Sequence, residues 1–247
     1  MMDVLLNHRT IRRYKDEPID EALLNKILKA GTRASTTGNM QLYSIIVNRD
    51  EEMKKKLAPA FFNQPTFTKA PLALTFCADF NRFNKWCRQR NAEPGYDNFQ
   101  SFMTAATDAL LVAQNVCVAA ESAGLGICFI GTVTYNADKI IDTLNLPKGV
   151  VPLVTVTLGW PAEDPGQTER LPLEAVVHHE TYQDYTPEDI DRLYKEKEEL
   201  PANKQLTAKN NKETLAQIFT DVRYTKENNE HFSKVFLDVL KKQGFLD

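Results

Sequence analysis

Apolar residues in this chain follow two periods, one helical and one that of short strands, and together they divide it into alternating elements. Across residues 20–33, Leu23, Leu24, Ile27 and Leu28 share one side of a 3.6-residue repeat, and Asp20 suits an N-cap. The strongest helical signal covers residues 99–123, where Phe102, Ala106, Ala109, Leu110, Ala113, Cys117 and Ala120 form one continuous stripe rich in alanine. Gly124 stands where a left-handed C-cap ends such a helix. Shorter helices are predicted over 50–57, as a charged surface element, over 80–89, and over 136–144 with Asn136 as its cap. Residues 42–48, 71–78, 127–133 and 150–158 are short, apolar and largely β-branched, hence strands. The small polar run 34–39 is a loop. After Trp160-Pro161 the segment to Pro172 is irregular, followed by charged helices over 187–200 and 228–243, with Gly244 as a stop signal. The Lys- and Asn-rich stretch 202–212 between them reads as a polar loop.

The pattern around residues 102–125 is apolar enough to suggest a membrane span. It carries Asp108, Gln114, Asn115 and Glu121. A charge at mid-bilayer costs about 2.5–3.5 kcal/mol, so the segment reads as a buried helix of a water-soluble chain. With 247 residues, 43% hydrophobic and 26% charged, the chain is long enough for a substantial core without disulfides or metal. A formal net charge of −3 argues against nucleic acid as a partner. Cys77, Cys87, Cys117 and Cys128 form no Cys-x-x-Cys pair and have no histidine at zinc spacing. No metal site is expected, a reducing cytoplasm fits best, and the first residues lack a signal-peptide pattern.

Candidate chemistry begins at the N-terminus. His8, Arg9, Arg12 and Arg13 crowd around Thr10, ahead of any strong core-forming run. Such a cluster either faces solvent as a basic arm or faces an anion, for which guanidinium donors suit a phosphate or planar partner. The dinucleotide Gly-x-Gly-x-x-Gly and the P-loop are both absent. His178 and His179 do not suit a metal or acid–base pair: neighbours on a strand point to opposite faces, and no acidic or cysteine partner has a recognisable spacing. His231 is expected to face solvent, and Trp86 and Trp160 to pack. Asp108 and Glu121, thirteen positions apart on one helix, are not expected to converge.

Ordered strings along nearly the whole chain carry a family resemblance. They are His8-Arg9-Thr10-Ile11-Arg12 with Tyr14 and Asp16-Glu17-Pro18-Ile19; Ser35-Thr36-Thr37-Gly38-Asn39-Met40-Gln41; and Phe76-Cys77-Ala78-Asp79-Phe80-Asn81-Arg82. Further strings are Glu121-Ser122-Ala123-Gly124-Leu125-Gly126, Phe129-Ile130-Gly131, Leu158-Gly159-Trp160-Pro161-Ala162 and Arg170-Leu171-Pro172. The chain resembles the nitroreductase superfamily of FMN-dependent NAD(P)H oxidoreductases. Within it, the likeness is to oxygen-insensitive NADPH nitroreductases and NADPH:flavin oxidoreductases. The resemblance implies an α+β fold, a mainly antiparallel sheet flanked by helices. It further implies one nitroreductase-like domain over 1–247, with a core of about 1–165 and an extension of about 166–247 wrapping the partner of an intertwined homodimer.

By that resemblance His8, Arg9 and Thr10 hold the FMN phosphate and ribityl chain, and Arg12 approaches the flavin's pyrimidine edge. Phe129, Ile130, Gly131 and Thr132 lie beside its reactive edge, where a glycine lets backbone approach the ring. The loop carrying Ser35, Thr36, Thr37, Asn39 and Gln41 reaches FMN from the partner subunit, and Gln64 lies near the flavin. Thr168 and Arg170 stand in the family's Lys-x-Arg phosphate clamp. No side chain is expected to be catalytic, because the flavin carries hydride from NADPH or NADH to nitroaromatics, quinones or related small acceptors in a ping-pong sequence. The alternatives are a flavin reductase releasing free reduced FMN and a non-catalytic FMN-binding protein.

Four departures from the family pattern bear on this reading. Thr10 replaces a serine and keeps its hydroxyl, whereas Thr132 replaces a second glycine. Thr168-Glu169 replaces a cation with an anion beside Arg170. Lys209 and Lys212 stand in the comparable region for arginines that grip the nicotinamide phosphate, and lysine lacks the bidentate fork.

Overall fold

The structure, a computed structural model, describes residues 2–247. The first half comprises α1 (Met2–Leu6), α2 (Glu21–Gly31), β1 (Tyr43–Asn48), α3 (Glu51–Leu57), α4 (Pro65–Thr68), β2 (Leu72–Asp79), α5 (Asn81–Gln89) and α6 (Phe99–Ser122). It continues with β3 (Gly126–Ile130), α7 (Ala137–Leu144), β4 (Val150–Gly159), α8 (Pro187–Glu199), α9 (Pro201–Lys209), α10 (Leu215–Ile218) and α11 (Lys226–Gln243). Two compact units emerge: residues up to Gln167 together with Phe232–Asp247, and Thr168–His231.

The first unit is built on a four-stranded sheet in the order β1-β2-β4-β3, every pair antiparallel. All eight residues of β2 are buried, so this central strand is covered on both faces. Its alternation explains how. Leu72, Leu74 and Phe76 join α2 and α6 in one apolar cluster, while Ala73 packs with Leu57, Phe61, Phe67 and Ile140 in another. The alanine stripe of α6 serves the first cluster through Ala109, Ala113 and Ala120. Gly31 of α2 faces Val116 so closely that a Cβ there would lie 2.2 Å from the Val116 side chain. A third cluster brings Val239, Leu240 and Phe245 onto Leu42, Phe80 and Phe102.

Local chemistry sets the ends of several elements. Asp20 accepts the Leu23 amide, as its position predicts, and Asp50 and Asn98 cap α3 and α6 in the same way. Thr186 and Thr214 each form a reciprocal capping box in the second unit. Gly124 adopts φ +85° and closes α6.

Some predicted elements differ from the fold. Residues 202–212 are not a loop; most of them form α9, started by Pro201 at the first helical position. The strand predicted over 127–133 stops at Ile130, where Gly131–Asn136 tightens into a 3₁₀ turn. Asn136 does not cap α7 with its side chain, which instead donates to the Ala60 carbonyl at 3.0 Å. On α3, Lys54 is buried rather than solvated, its ammonium 2.7 Å from the Ala70 carbonyl and paired with Glu51. Trp86 is 54% exposed rather than packed away. Neither His178 nor His179 lies on a strand.

Gly126 is where the segment before α2 lies closest to β3: a Cβ there would stand 2.6 Å from Ile11. Gly126→Ala is expected to destabilise the protein by about 1–3 kcal/mol through this overpacking. A urea unfolding midpoint lowered at unchanged m-value measures it.

Candidate functional site

The basic N-terminal segment is neither a loose arm nor a bare anion site. It lies along the sheet's edge and is hydrogen-bonded there. Thr10 bridges Ile127 in parallel, the Ile11 amide donates to the Ile127 carbonyl at 2.9 Å, and the Lys15 amide donates to the Trp160 carbonyl at 2.8 Å. Gly126 and Gly159 permit this approach, the first against Ile11 and the second against Tyr14. Tyr14 pins the segment from beneath, its hydroxyl donating to the Ile11 carbonyl at 2.8 Å and lying 2.7 Å from the Thr157 hydroxyl. Burial raises the Tyr14 pKa well above the ordinary phenol range, so the hydroxyl remains a donor.

The cluster's charges are largely matched by carboxylates. His8 Nδ1 lies 2.7 Å from Glu121 Oε1, and Arg9 Nη1 lies 2.5 Å from Asp164 Oδ1. Arg13 donates through Nε to Glu163 Oε2 at 2.7 Å, while the Arg12 and Arg13 amides both donate to Glu163 Oε1. The Arg12 guanidinium makes no ion pair among the described residues. It lies close enough to Cys128 to oppose the rise that burial imposes on that thiol. A cleft of about 510 Å³ opens here, lined by Arg9, Ile11, Glu121, Gly126, Glu163 and Asp164 among others.

Beyond the bridge at Ile127, β3 runs through Phe129, which is 38% exposed, and buried Ile130 to Gly131. A Cβ on Gly131 would meet nothing within 4 Å, so the backbone there faces open space. Next to it the Thr132 hydroxyl is buried without a hydrogen-bond partner. An unpartnered buried hydroxyl beside open backbone is a feature a ligand can satisfy.

The loop 35–41 owes its shape to Asp108. This buried carboxylate of α6 accepts the Thr36 and Thr37 hydroxyls, the Thr37 amide at 2.9 Å and the Leu42 amide at 3.1 Å. Gly38, Asn39 and Gln41 all take positive φ in the tight turn that results. Thr36 and Thr37 therefore spend their hydroxyls on the loop itself, leaving Ser35, Asn39 and Gln41 exposed. Arg82 on α5 donates to the Gln41 carbonyl. Gln64 is half-buried at the start of α4, after Phe62 and Asn63 in left-handed conformations.

In the second unit, Arg170 folds back onto the carbonyls of Thr168 and Glu169, both at 3.1 Å. Glu169 is held ionised by Lys197 at 3.0 Å, which lowers its pKa. Lys212 pairs with Asp221 at 2.8 Å, and Lys209 ends α9 in solvent. Both nitrogens of the His178 ring are engaged, Nδ1 by the Gln183 amide and Nε2 by the Tyr185 hydroxyl. Among the described residues no group of three or more His, Cys, Asp or Glu could hold a metal.

Sequence reasoning missed Glu163 and Asp164 as partners, because they follow Trp160-Pro161 in an irregular tract with no period to read. It also left Asp108 without a role, although an acid on the apolar stripe of an alanine-rich helix is a signal of a buried acceptor.

This sheet order, with α6 across one face and an arginine-bearing segment on its edge, is a nitroreductase-like α+β architecture. Superposition on the crystal structure of a Bacteroides fragilis chain described as an oxidoreductase gives a TM-score of 0.98, at 58% identity and 100% coverage of both chains. The chain belongs to the nitroreductase family, which matches residues 5–160. It is 35% identical to an oxygen-insensitive NADPH nitroreductase of Salmonella typhimurium over 99% of this chain and 97% of the relative. It is 34% identical to an FMN reductase [NAD(P)H] of Bacillus subtilis, over 98% and 96% respectively.

The amides of Arg12 and Arg13 and the Arg13 guanidinium hold the Glu163 carboxyl below the ordinary glutamate range. Its charged form is therefore favoured by the docked segment, and this support is present at neutral pH and lost as pH falls through the lowered pKa. The Arg12 and Arg13 amide NMR resonances are expected to titrate together, with a midpoint below that of an ordinary glutamate. Glu163→Gln should abolish the step.

Proposed function

We propose that this protein is an FMN-dependent oxidoreductase that takes hydride from NADPH or NADH and passes two electrons to nitroaromatics, quinones or related small acceptors. The reading is supported by end-to-end similarity to relatives named for NADPH nitroreduction and FMN reduction. The observation that carries it to particular residues is the coupling of the His8–Arg12 segment to β3, the strand that opens at Gly131 beside the unpartnered Thr132 hydroxyl.

These residues fit a flavin mononucleotide. The open backbone at Gly131 admits the face of a planar ring, beside the Thr132 hydroxyl, which is buried and has no protein partner. His8, Arg9 and Thr10 offer donors for the phosphate and ribityl chain. Their carboxylate partners keep them in place before the ligand arrives, at the cost of competing with it. Arg12, without an ion pair, supplies a fixed positive charge for the electron-rich edge of the ring. Bound there, the flavin supplies the two-electron redox chemistry, so no side-chain nucleophile is needed. The Thr168–Arg170 clamp contributes little, since Arg170 is turned onto its own backbone; the N-terminal cluster carries most of the phosphate charge.

The protein acts as a homodimer in this reading, with loop 35–41 completing the partner's site, Gln64 lying near the flavin, and residues 166–247 wrapping the partner. Support comes from Phe99, Met103, Leu110 and Leu111, large apolar side chains that stand exposed on α6. The four cysteines are all free and buried, which suits a reducing cytoplasm. The FMN-reductase relative supports a second reading, in which free flavin is the acceptor. Saturable consumption of added FMN in place of a nitroaromatic distinguishes the two.

The purified protein is expected to be yellow and to bleach anaerobically on adding NADPH or NADH. Arg12→Ala should weaken flavin retention by about tenfold, the loss of one charge-assisted contact, with the unfolding midpoint little changed. Equilibrium dialysis against FMN reads the effect. A colourless protein that neither takes up FMN nor oxidises either nicotinamide overturns the proposal.

A further inference from the structure

Loop 35–41 is held in a conformation that its own sequence does not favour. Gly38, Asn39 and Gln41 all take φ between +54° and +58°, a region costly for a long side chain such as glutamine. Two grips from outside the loop keep it there. The first is Asp108, only 1% exposed and flanked on α6 by the buried Ala105, Ala109 and Val112. Its Oδ1 accepts the Thr37 amide at 2.9 Å and the Thr37 hydroxyl at 3.3 Å, while Oδ2 accepts the Leu42 amide at 3.1 Å and the Thr36 hydroxyl. The two ends of one loop thus fill the acceptor positions of a single carboxylate. Thr36 Oγ1 in turn accepts the Gln41 amide at 2.9 Å.

The second grip is Arg82, which donates to the Gln41 carbonyl from the far side of the turn. Its own amide donates to buried Asp79 at 3.3 Å, and Asp79 also accepts the Ser44 hydroxyl. Helix α5 gives this grip a firm base. Trp86 leans on Phe83 with ring centroids 5.3 Å apart, and Phe83 meets Tyr96 edge-on at 5.6 Å. Between the turn and α5 lies a cleft of about 510 Å³, walled by Met40, Phe83 and Trp86.

A carboxylate buried in an apolar helix carries a desolvation cost that alanine would not. What it secures is the outward turn, with the Asn39 and Gln41 side chains exposed. Asp108 also stands at the margin of an exposed stripe on α6, in which Met103, Thr107, Leu110, Leu111 and Gln114 recur at helical spacing. That stripe holds the apolar side chains that support the homodimer, so the loop shaped by Asp108 lies beside the face offered to the partner.

We propose that Asp108 is a positioning residue that acts across the dimer: by fixing loop 35–41 it presents Asn39 and Gln41 to the FMN held by the other subunit's Arg12. The inference rests on the oxidoreductase reading and its shared site. Asp108→Asn keeps the size but turns one oxygen into an NH2 group. Whichever oxygen is replaced, that group meets a backbone N–H, of Thr37 or of Leu42, that cannot rotate away.

Equilibrium dialysis against FMN is the test. The Asp108→Asn homodimer is expected to bind FMN about tenfold more weakly. The decisive sample is a mixed dimer, purified through two different affinity tags, with Asp108→Asn in one subunit and Arg12→Ala in the other. Acting across the interface, the two substitutions fall on the same site. One site then keeps wild-type affinity and the other is weakened about a hundredfold. Two equal sites, each about tenfold weaker, overturn the inference, because Asp108 then serves its own subunit. Wild-type affinity in the Asp108→Asn homodimer overturns it as well. Arg82→Ala, an exposed change outside α6, loosens the same turn and is expected to give the same pattern of one tight and one weak site when paired with Arg12→Ala. Should Asp108→Asn not fold, that pair decides. Failure of the underlying reading shows separately, as wild-type protein that retains no FMN.

Discussion

The candidate site depends on one close approach: an extended, arginine-bearing segment laid against the end of a sheet. At Gly126 and Gly159 the sheet lacks side chains, so Ile11 and Tyr14 sit where a Cβ would otherwise intrude. Backbone hydrogen bonds to Ile127 and Trp160 then fix the segment's register. Register decides which side chains are buried here, because neighbouring residues of an extended chain point to opposite sides. Ile11 turns inward and is buried, whereas Arg12 and Arg13 are exposed. A slip of one position would bury an arginine and lose the cationic face.

Charge balance is the second constraint on the same segment. Four basic side chains so close would repel one another in isolation. Glu121, Glu163 and Asp164 relieve that repulsion from two different elements, the last turn of α6 and the tract after β4. The pairs at Asp164 and Arg13 are largely exposed, so they orient more than they stabilise. Their effect is to hold the Arg9 and Arg13 side chains in fixed directions. Arg12 stands apart, with its amide held by Glu163 and its guanidinium uncommitted.

The same economy shapes the loop 35–41. Its hydroxyls look like ligand donors in the sequence, yet Asp108 takes those of Thr36 and Thr37 to build the turn. What the loop presents outward is Ser35, Asn39 and Gln41, the last two with positive φ. One face of the turn borders the α5 cleft, where Trp86 stays half-exposed and Arg82 donates to the Gln41 carbonyl. A sequence pattern records Trp86 only as an aromatic residue on a short helix. The bracing by Phe83 and Tyr96, which holds its ring in position while leaving it exposed, comes from residues as distant as the segment before α6.

The sequence by itself determined the elements whose periods are strong and whose ends are chemically marked. The alanine stripe of α6, the Asp20 cap and Gly124 were legible because each is set by interactions within a few residues. The ordered motifs, not any spacing, made the family and its candidate flavin residues legible. Tertiary structure decided what depends on distant partners: the burial of Lys54 against Ala70, the diversion of Asn136 to Ala60, and the carboxylates that answer the N-terminal cations. It also decided that residues 202–212 are largely helical, since polar composition cannot distinguish a solvated helix from a loop. The physical reason is range. Periodicity and capping are local, whereas the pairing of a charge is settled by whichever group the fold brings within about 3 Å, however far away in sequence.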